Sequence, residues 1–203
     1  LSPRHPILAA SDAPHAFVSP YTLALGLLVR WTGADAVTVL AAAGIANLAL
    51  FLVALRAFVR TVVVNPLAPT WALLFALFAW GVLPWRFSGF VGMNAIGFGL
   101  PYPSMFALNV ALLSLCALAR FGISRQLHWL AWFAGGAVLV VLTHPLTSAG
   151  LLIGCIAFAI QYRIPSGGRE LAVVGGVLLA AGTLVMLWPG YSLLNLLLHE
   201  GDA

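Results

Sequence analysis

The chain has 203 residues, of which 63% are hydrophobic and 7% charged, against roughly half apolar and a quarter charged in soluble domains. No globular fold of this size buries such an excess, whereas a bilayer accepts it as runs of about 20 apolar residues that satisfy their own backbone as helices. The formal charge of +4 comes from nine arginines and no lysine. They sit near segment ends and not in one patch, a pattern that orients a membrane protein and excludes a nucleic-acid surface.

Leu1 is not an initiator, and nothing before Ser19 has the basic start and apolar core of a signal peptide, so the chain is expected to be a piece of something longer. Residues 1–35 read as an extracytoplasmic loop with one juxtamembrane helix. That helix, Pro20 to Trp31, is apolar but only about 18 Å long at 1.5 Å per residue, too short for a core about 30 Å thick. It is expected to lie along the outer interface; if it crossed, residues 1–19 would be cytoplasmic.

Residues 36–189 read as an all-α, polytopic bundle of about six spans: Ala36 to Phe58, Pro69 to Trp85, Ser104 to Phe121, Leu127 to Thr143, Leu146 to Tyr162 and Glu170 to Trp188. Asp35, Pro69 and Ser104 supply start signals, and Pro84, Pro145, Pro165 and Pro189 stand at or past helix ends, where a missing donor costs least. Outer-membrane strands are excluded, because Leu171 to Leu187 lacks any alternation of polar and apolar positions. Residues 190–203 form an outer tail or the start of a further segment. Arg56 and Arg60, Arg120 and Arg125, and Arg163 and Arg169 mark three loops on one face, which the positive-inside rule assigns to the cytoplasm. The loop from Arg86 to Pro103, the His144–Pro145 turn and the tail then face outside.

Within the spans, Asn47 and Asn109 are expected to bond to neighbouring helices, each worth on the order of 1 kcal/mol. Gly150 and Gly154 form a small-xxx-small pair suited to close helix packing. Cys116 and Cys155 read as small buried hydrophobes. Chemistry must come from polar groups gathered on the outer face: Asp12 with His15, the glycine- and aromatic-rich loop RFSGFVGMNAIGFGLPYPS with Arg86, Asn94 and Tyr102, and His144. Each has a plainer use, Asp12 as an exposed loop acid, Arg86 as an interface anchor and His144 as the cap of a turn against Pro145. The loop is not a phosphate loop, since no Gly-Lys-Ser/Thr follows.

An acid followed by an apolar surface helix with Ser19-Pro20-Tyr21 and ending Arg30-Trp31-Thr32-Gly33, then a long span closing in Arg56 and Arg60, resembles the GT-C class of membrane glycosyltransferases with the first span missing. Tyr102-Pro103-Ser104 and Thr143-His144-Pro145 are similar to features of the same class. The resemblance implies transfer of a sugar from a polyprenyl-phosphate donor on the extracytoplasmic face, in the inner (plasma) membrane of a bacterium. Asp12 would then match the first-loop acid and activate the acceptor or help hold a divalent cation. His15, Arg86, Asn94, Tyr102 and His144 would hold the substrate, with Arg86 or His144 meeting the departing phosphate. The implied partners are the lipid bilayer and the lipid-linked sugar, with no nucleic acid. Two rival functions are a non-catalytic membrane assembly subunit and a transporter or flippase; the latter should show ionisable residues inside its spans, where, away from the span ends, this chain has only Asn47, Asn109 and small hydroxyls.

Overall fold

The computed structural model describes residues 18–79, 92 and 96–189, with the side chain of Phe98 left aside. Among these residues every regular element is a helix: α1 Pro20–Thr32, α2 Ala36–Val62, α3 Ala68–Phe78, the single turn α4 Ile96–Gly99, α5 Pro103–Ser124, α6 Leu127–Thr143, α7 Pro145–Tyr162 and α8 Gly168–Met186. The protein is a membrane-embedded helical bundle. Four helices, α2, α5, α7 and α8, are long and apolar enough to cross a bilayer.

The other two expected spans are shorter. α6 coincides with Leu127 to Thr143, and its 17 residues reach about 25 Å, a few ångströms under the core thickness. α3 is described over 11 residues, with Ala79 as its C-cap, and residues 80–85 lie outside the described residues.

Local chemistry explains the ends. Ser19 caps α1 in a reciprocal box with Thr22, Pro20 occupies the first turn, and Gly33 ends the helix at φ 68° in the left-handed region that glycine tolerates. Asp35 caps α2 by accepting from the Thr38 amide at 3.0 Å and the Thr38 hydroxyl at 2.5 Å. These bonds hold the exposed Asp35 carboxyl below its ordinary pKa. Pro69, Pro103 and Pro145 open α3, α5 and α7, where their lost N–H has no intrahelical acceptor.

α5 is the axis. Its apolar window is 61% buried, against 22% for α2 and 6% for α7 and α8, and it packs on α2, α6 and α7 while α8 leans on α6. Ala107, Ala111, Leu115, Val140 and Leu151 form one cluster, and Ala117, Leu118, Phe121, Leu130 and Phe133 a second. The alanines let helices approach closely where lipid supplies no hydrophobic drive between them. Isoleucines and leucines such as Ile153, Ile160, Leu179 and Leu184 are exposed on the outside of α7 and α8, as lipid-facing positions should be.

Residue pairs give the directions. On α2 and α5, Asn47 meets Asn109 and Thr61 meets Cys116, so these helices run parallel. Ser114 faces Gly136 and Arg120 stacks over Trp129, so α5 and α6 are antiparallel. Leu115 faces Gly154 and Gly122 faces Tyr162, so α7 again runs with α5. Consequently Arg56, Arg60, Arg120, Arg125, Arg163 and Arg169 share one end of the bundle, and the starts of α1, α5 and α7 share the other with the ends of α6 and α8.

Two ties set the direction of α1 relative to α2. Its start is tied to Asn47 on α2, and its end joins α2 through only Gly33, Ala34 and Asp35. Eleven residues separate the two ties along each helix, so α1 folds back beside the first half of α2 as an antiparallel hairpin.

Of the glycine pair, Gly154 has the close neighbour: an added Cβ would stand 2.7 Å from Leu115 Cδ1, while Gly150 has nothing within 4 Å. Gly122, outside the predicted pair, is tighter, with Tyr162 Cβ at 2.5 Å. Gly122→Ala should lower stability by about 1–3 kcal/mol, because Tyr162 must shift from its root. Gly150→Ala should instead be neutral or stabilising by up to about 1 kcal/mol. Thermal unfolding of the two variants in detergent checks the contrast.

Topology is checked by labelling. In a background without Cys116 and Cys155, a membrane-impermeant maleimide added to intact cells should modify Leu146→Cys and spare Ile123→Cys. The reverse pattern would place the arginine-rich end outside.

Candidate functional site

The arginine-poor end is built around four side chains from three elements. Tyr21, in the first turn of α1, is buried and needs a partner for its hydroxyl. It donates to the Pro101 carbonyl at 2.9 Å and accepts from Asn47 Nδ2 at 2.9 Å. Asn47 Nδ2 also donates to the Leu100 carbonyl at 2.8 Å. Asn109 Nδ2 donates to the Asn47 carbonyl at 2.9 Å, and the Tyr21 ring stacks on Phe106 with centroids 4.9 Å apart. This network pins the turn before α5 to both α1 and α2. Trp188 Nε1 closes the end by donating to the Val18 carbonyl at 3.1 Å. Asn109 Oδ1 and Thr143 Oγ1 are buried here without a partner among the described residues.

Asn47 and Asn109 therefore do what their position in apolar helices predicts. Tyr21 and Trp188 are members that the sequence does not single out. A signal existed for Tyr21, since a tyrosine opening an apolar helix implies a bonded hydroxyl.

Of the six predicted site residues, two are described. Tyr102 is the N-cap of α5, 60% exposed, with its N–H on the Gly99 carbonyl at 3.1 Å. His144 ends α6 and caps α7: its Nδ1 accepts from the Thr147 amide at 3.3 Å and lies 2.8 Å from the Thr147 hydroxyl. The turn-capping use is thus real. Because Nδ1 is an acceptor, the neutral ring carries its proton on Nε2. Burial disfavours the cation and pushes the His144 pKa below its ordinary value.

Asp12, His15, Arg86 and Asn94 lie outside the described residues. The described chain next to them, Val18 on one side and the Ile96–Pro101 stretch on the other, belongs to the same end as Tyr102 and His144. Among the described residues no group of three or more His, Cys, Asp or Glu side chains comes together. Asp12, the carboxylate considered for a divalent cation, lies outside them. Cys116 and Cys155 are free thiols. No family model, curated protein or solved structure matches this chain.

The His144 cap has a pH consequence. Its folded pKa lies below the unfolded value of about 6.5, so the unfolded chain binds the proton more readily. The stabilisation is fully present above that value and is lost as pH falls through the folded pKa. Protection of the Thr147 amide, its exchange relative to the intrinsic chemical rate at each pH, should fall when pH drops from about 7.5 to 5. In His144→Asn, which caps without titrating in this range, that fall should vanish.

Proposed function

We propose that this chain is part of a GT-C-like membrane glycosyltransferase, a hexosyl- or pentosyltransferase using a polyprenyl-phosphate donor on the extracytoplasmic face of a bacterial inner (plasma) membrane. The observation that supports this most is that Tyr102 and His144 lie at the same, arginine-poor end as the described chain that borders both candidate segments. In the reaction, the bond from the sugar's anomeric carbon to the phosphate oxygen breaks and one from the acceptor oxygen forms. Asp12 takes the acceptor's proton, and a donor or cation meets the charge left on the phosphate. His144, neutral with its proton on Nε2, suits hydrogen-bond donation, which leaves Arg86 as the cation of the proposal.

A non-catalytic assembly subunit is the alternative. A transporter or flippase is less favoured, because Asn47 and Asn109 in the spans are engaged in bonds between helices and line no described path.

Asp12→Asn should lower sugar transfer by about 10²–10⁴-fold, measured with the full-length protein in membranes and a polyprenyl-phosphate-sugar donor. Arg86→Ala should raise the donor KM about tenfold or more with a smaller effect on kcat. Thermal unfolding of both variants should stay near that of the parent, since substitutions at positions the sequence assigns to loops cost little. Full activity in Asp12→Asn would remove the catalytic reading and favour the assembly subunit.

A further inference from the structure

We infer that the arginine-rich end is a docking surface for anionic phospholipid headgroups, independently of any reaction at the opposite end. Six of the nine basic residues stand there: Arg56 and Arg60 in the last turns of α2, Arg120 and Arg125 at the end of α5, Arg163 after α7 and Arg169 at the start of α8. All six are exposed.

Three observations select lipid phosphate as the ligand. First, the local acid is spent within the protein: Glu170 accepts from Arg125 Nη1 and from the Ser166 amide and hydroxyl, and it makes the one ion pair among the described residues. The guanidiniums of Arg56, Arg60, Arg163 and Arg169 therefore face outward with no described carboxylate to neutralise them.

Second, the basic residues are arginine without exception. A guanidinium offers a planar fork that grips phosphate with two hydrogen bonds, where lysine offers a point charge. Third, the level of these residues is a membrane surface. They end or begin helices whose flanks are lipid-facing aliphatics, and Arg120 is held 4.8 Å over the half-buried Trp129 ring. Tryptophan beside arginine is the pairing of the headgroup layer. A ring of guanidiniums at that depth meets lipid phosphodiesters before any soluble anion.

The surface is tested with the purified full chain in nanodiscs of neutral phosphatidylcholine, with or without about one third phosphatidylglycerol. The parent should unfold at higher temperature in the mixed discs, and phosphatidylglycerol should be enriched among lipids that copurify from mixed micelles. Each of Arg60→Gln and Arg163→Gln should weaken the relative affinity for phosphatidylglycerol about fivefold. The combined Arg56, Arg60, Arg163 and Arg169→Gln variant should lose the preference, and Arg30→Gln, at the other end, should keep it. Should the combined variant not fold, raising salt from about 0.05 to 0.5 M on the parent should erase the same preference by screening. Equal unfolding temperatures and no lipid enrichment for the parent in both discs would overturn the inference, as would loss of the preference in Arg30→Gln alone.

Discussion

The close approach that α5 permits is the constraint on which the rest depends. Lipid is as apolar as leucine, so helices in a bilayer gain little from hiding apolar surface against each other and must gain it from contact and hydrogen bonding. α5 meets this with alanines at 107, 111, 117 and 119, all buried, and its neighbours contribute glycines where they cross it. Gly136 lies against Ser114 and Gly154 against Leu115, while Tyr162 of α7 presses on the helix's own Gly122. A larger residue at those crossings would separate the helices and forfeit dispersion contacts along their length. α8 has little contact with α5 and is carried instead by α6, through Val173, Val174 and Val177 against the cluster around Leu130 and Phe133.

Packing of this kind is weakly directional, and the hydrogen bonds at the two ends supply the register. At one end Tyr21, Asn47 and Asn109 bind the turn before α5 to α1 and α2. At the other, Arg125 bonds Glu170 and the Tyr162 carbonyl, so one side chain ties the end of α5 to the end of α7 and the start of α8. Sliding α5 by one turn would move its residues about 5.4 Å along the axis and break both sets at once. The bonds are individually small, but the groups they satisfy are costly to leave bare in an apolar setting. Register is therefore held by penalty as much as by gain.

Much of this was legible from the residues. Composition and run length identified the helical membrane class, and α6 has the predicted ends, because Leu127 follows a polar loop and Thr143 precedes the His144–Pro145 break. The arginine pattern anticipated the arrangement of ends that Thr61–Cys116, Arg120–Trp129 and Gly122–Tyr162 display. The direction of α1 was not legible. Its sequence is apolar on most sides, so it carries no periodic signal to choose between a bilayer surface and another helix. The choice rests on long-range partners of Tyr21, Asn47 at 26 residues' separation and the Pro101 carbonyl at 80. The same reason hid the network around Pro101: a backbone carbonyl leaves no trace in the identity of the residue that bears it. For Gly150 and Gly154 the spacing was right for a helix contact, but spacing alone does not say which of two glycines faces the neighbour.

The unequal charge of the two ends also limits what chemistry each can host. The arginine-rich end has cations in excess, but only Glu170 as a described acid, and that carboxylate is held by Arg125 and Ser166. A base for deprotonating an acceptor is missing among the described groups there. The other end has the opposite economy. Its described cation is Arg30, its described acid Asp35 is committed to the Thr38 cap, and His144 is biased towards the neutral form by burial. A departing phosphate at this end would therefore draw on few cations, so that each one placed near it would count for more than in a field of arginines. Low ambient charge also keeps a carboxylate base closer to its ordinary basicity than a ring of guanidiniums would. A site that needs one base and one cation is better served by this sparse end, while the crowded end suits the binding of many like anions at once.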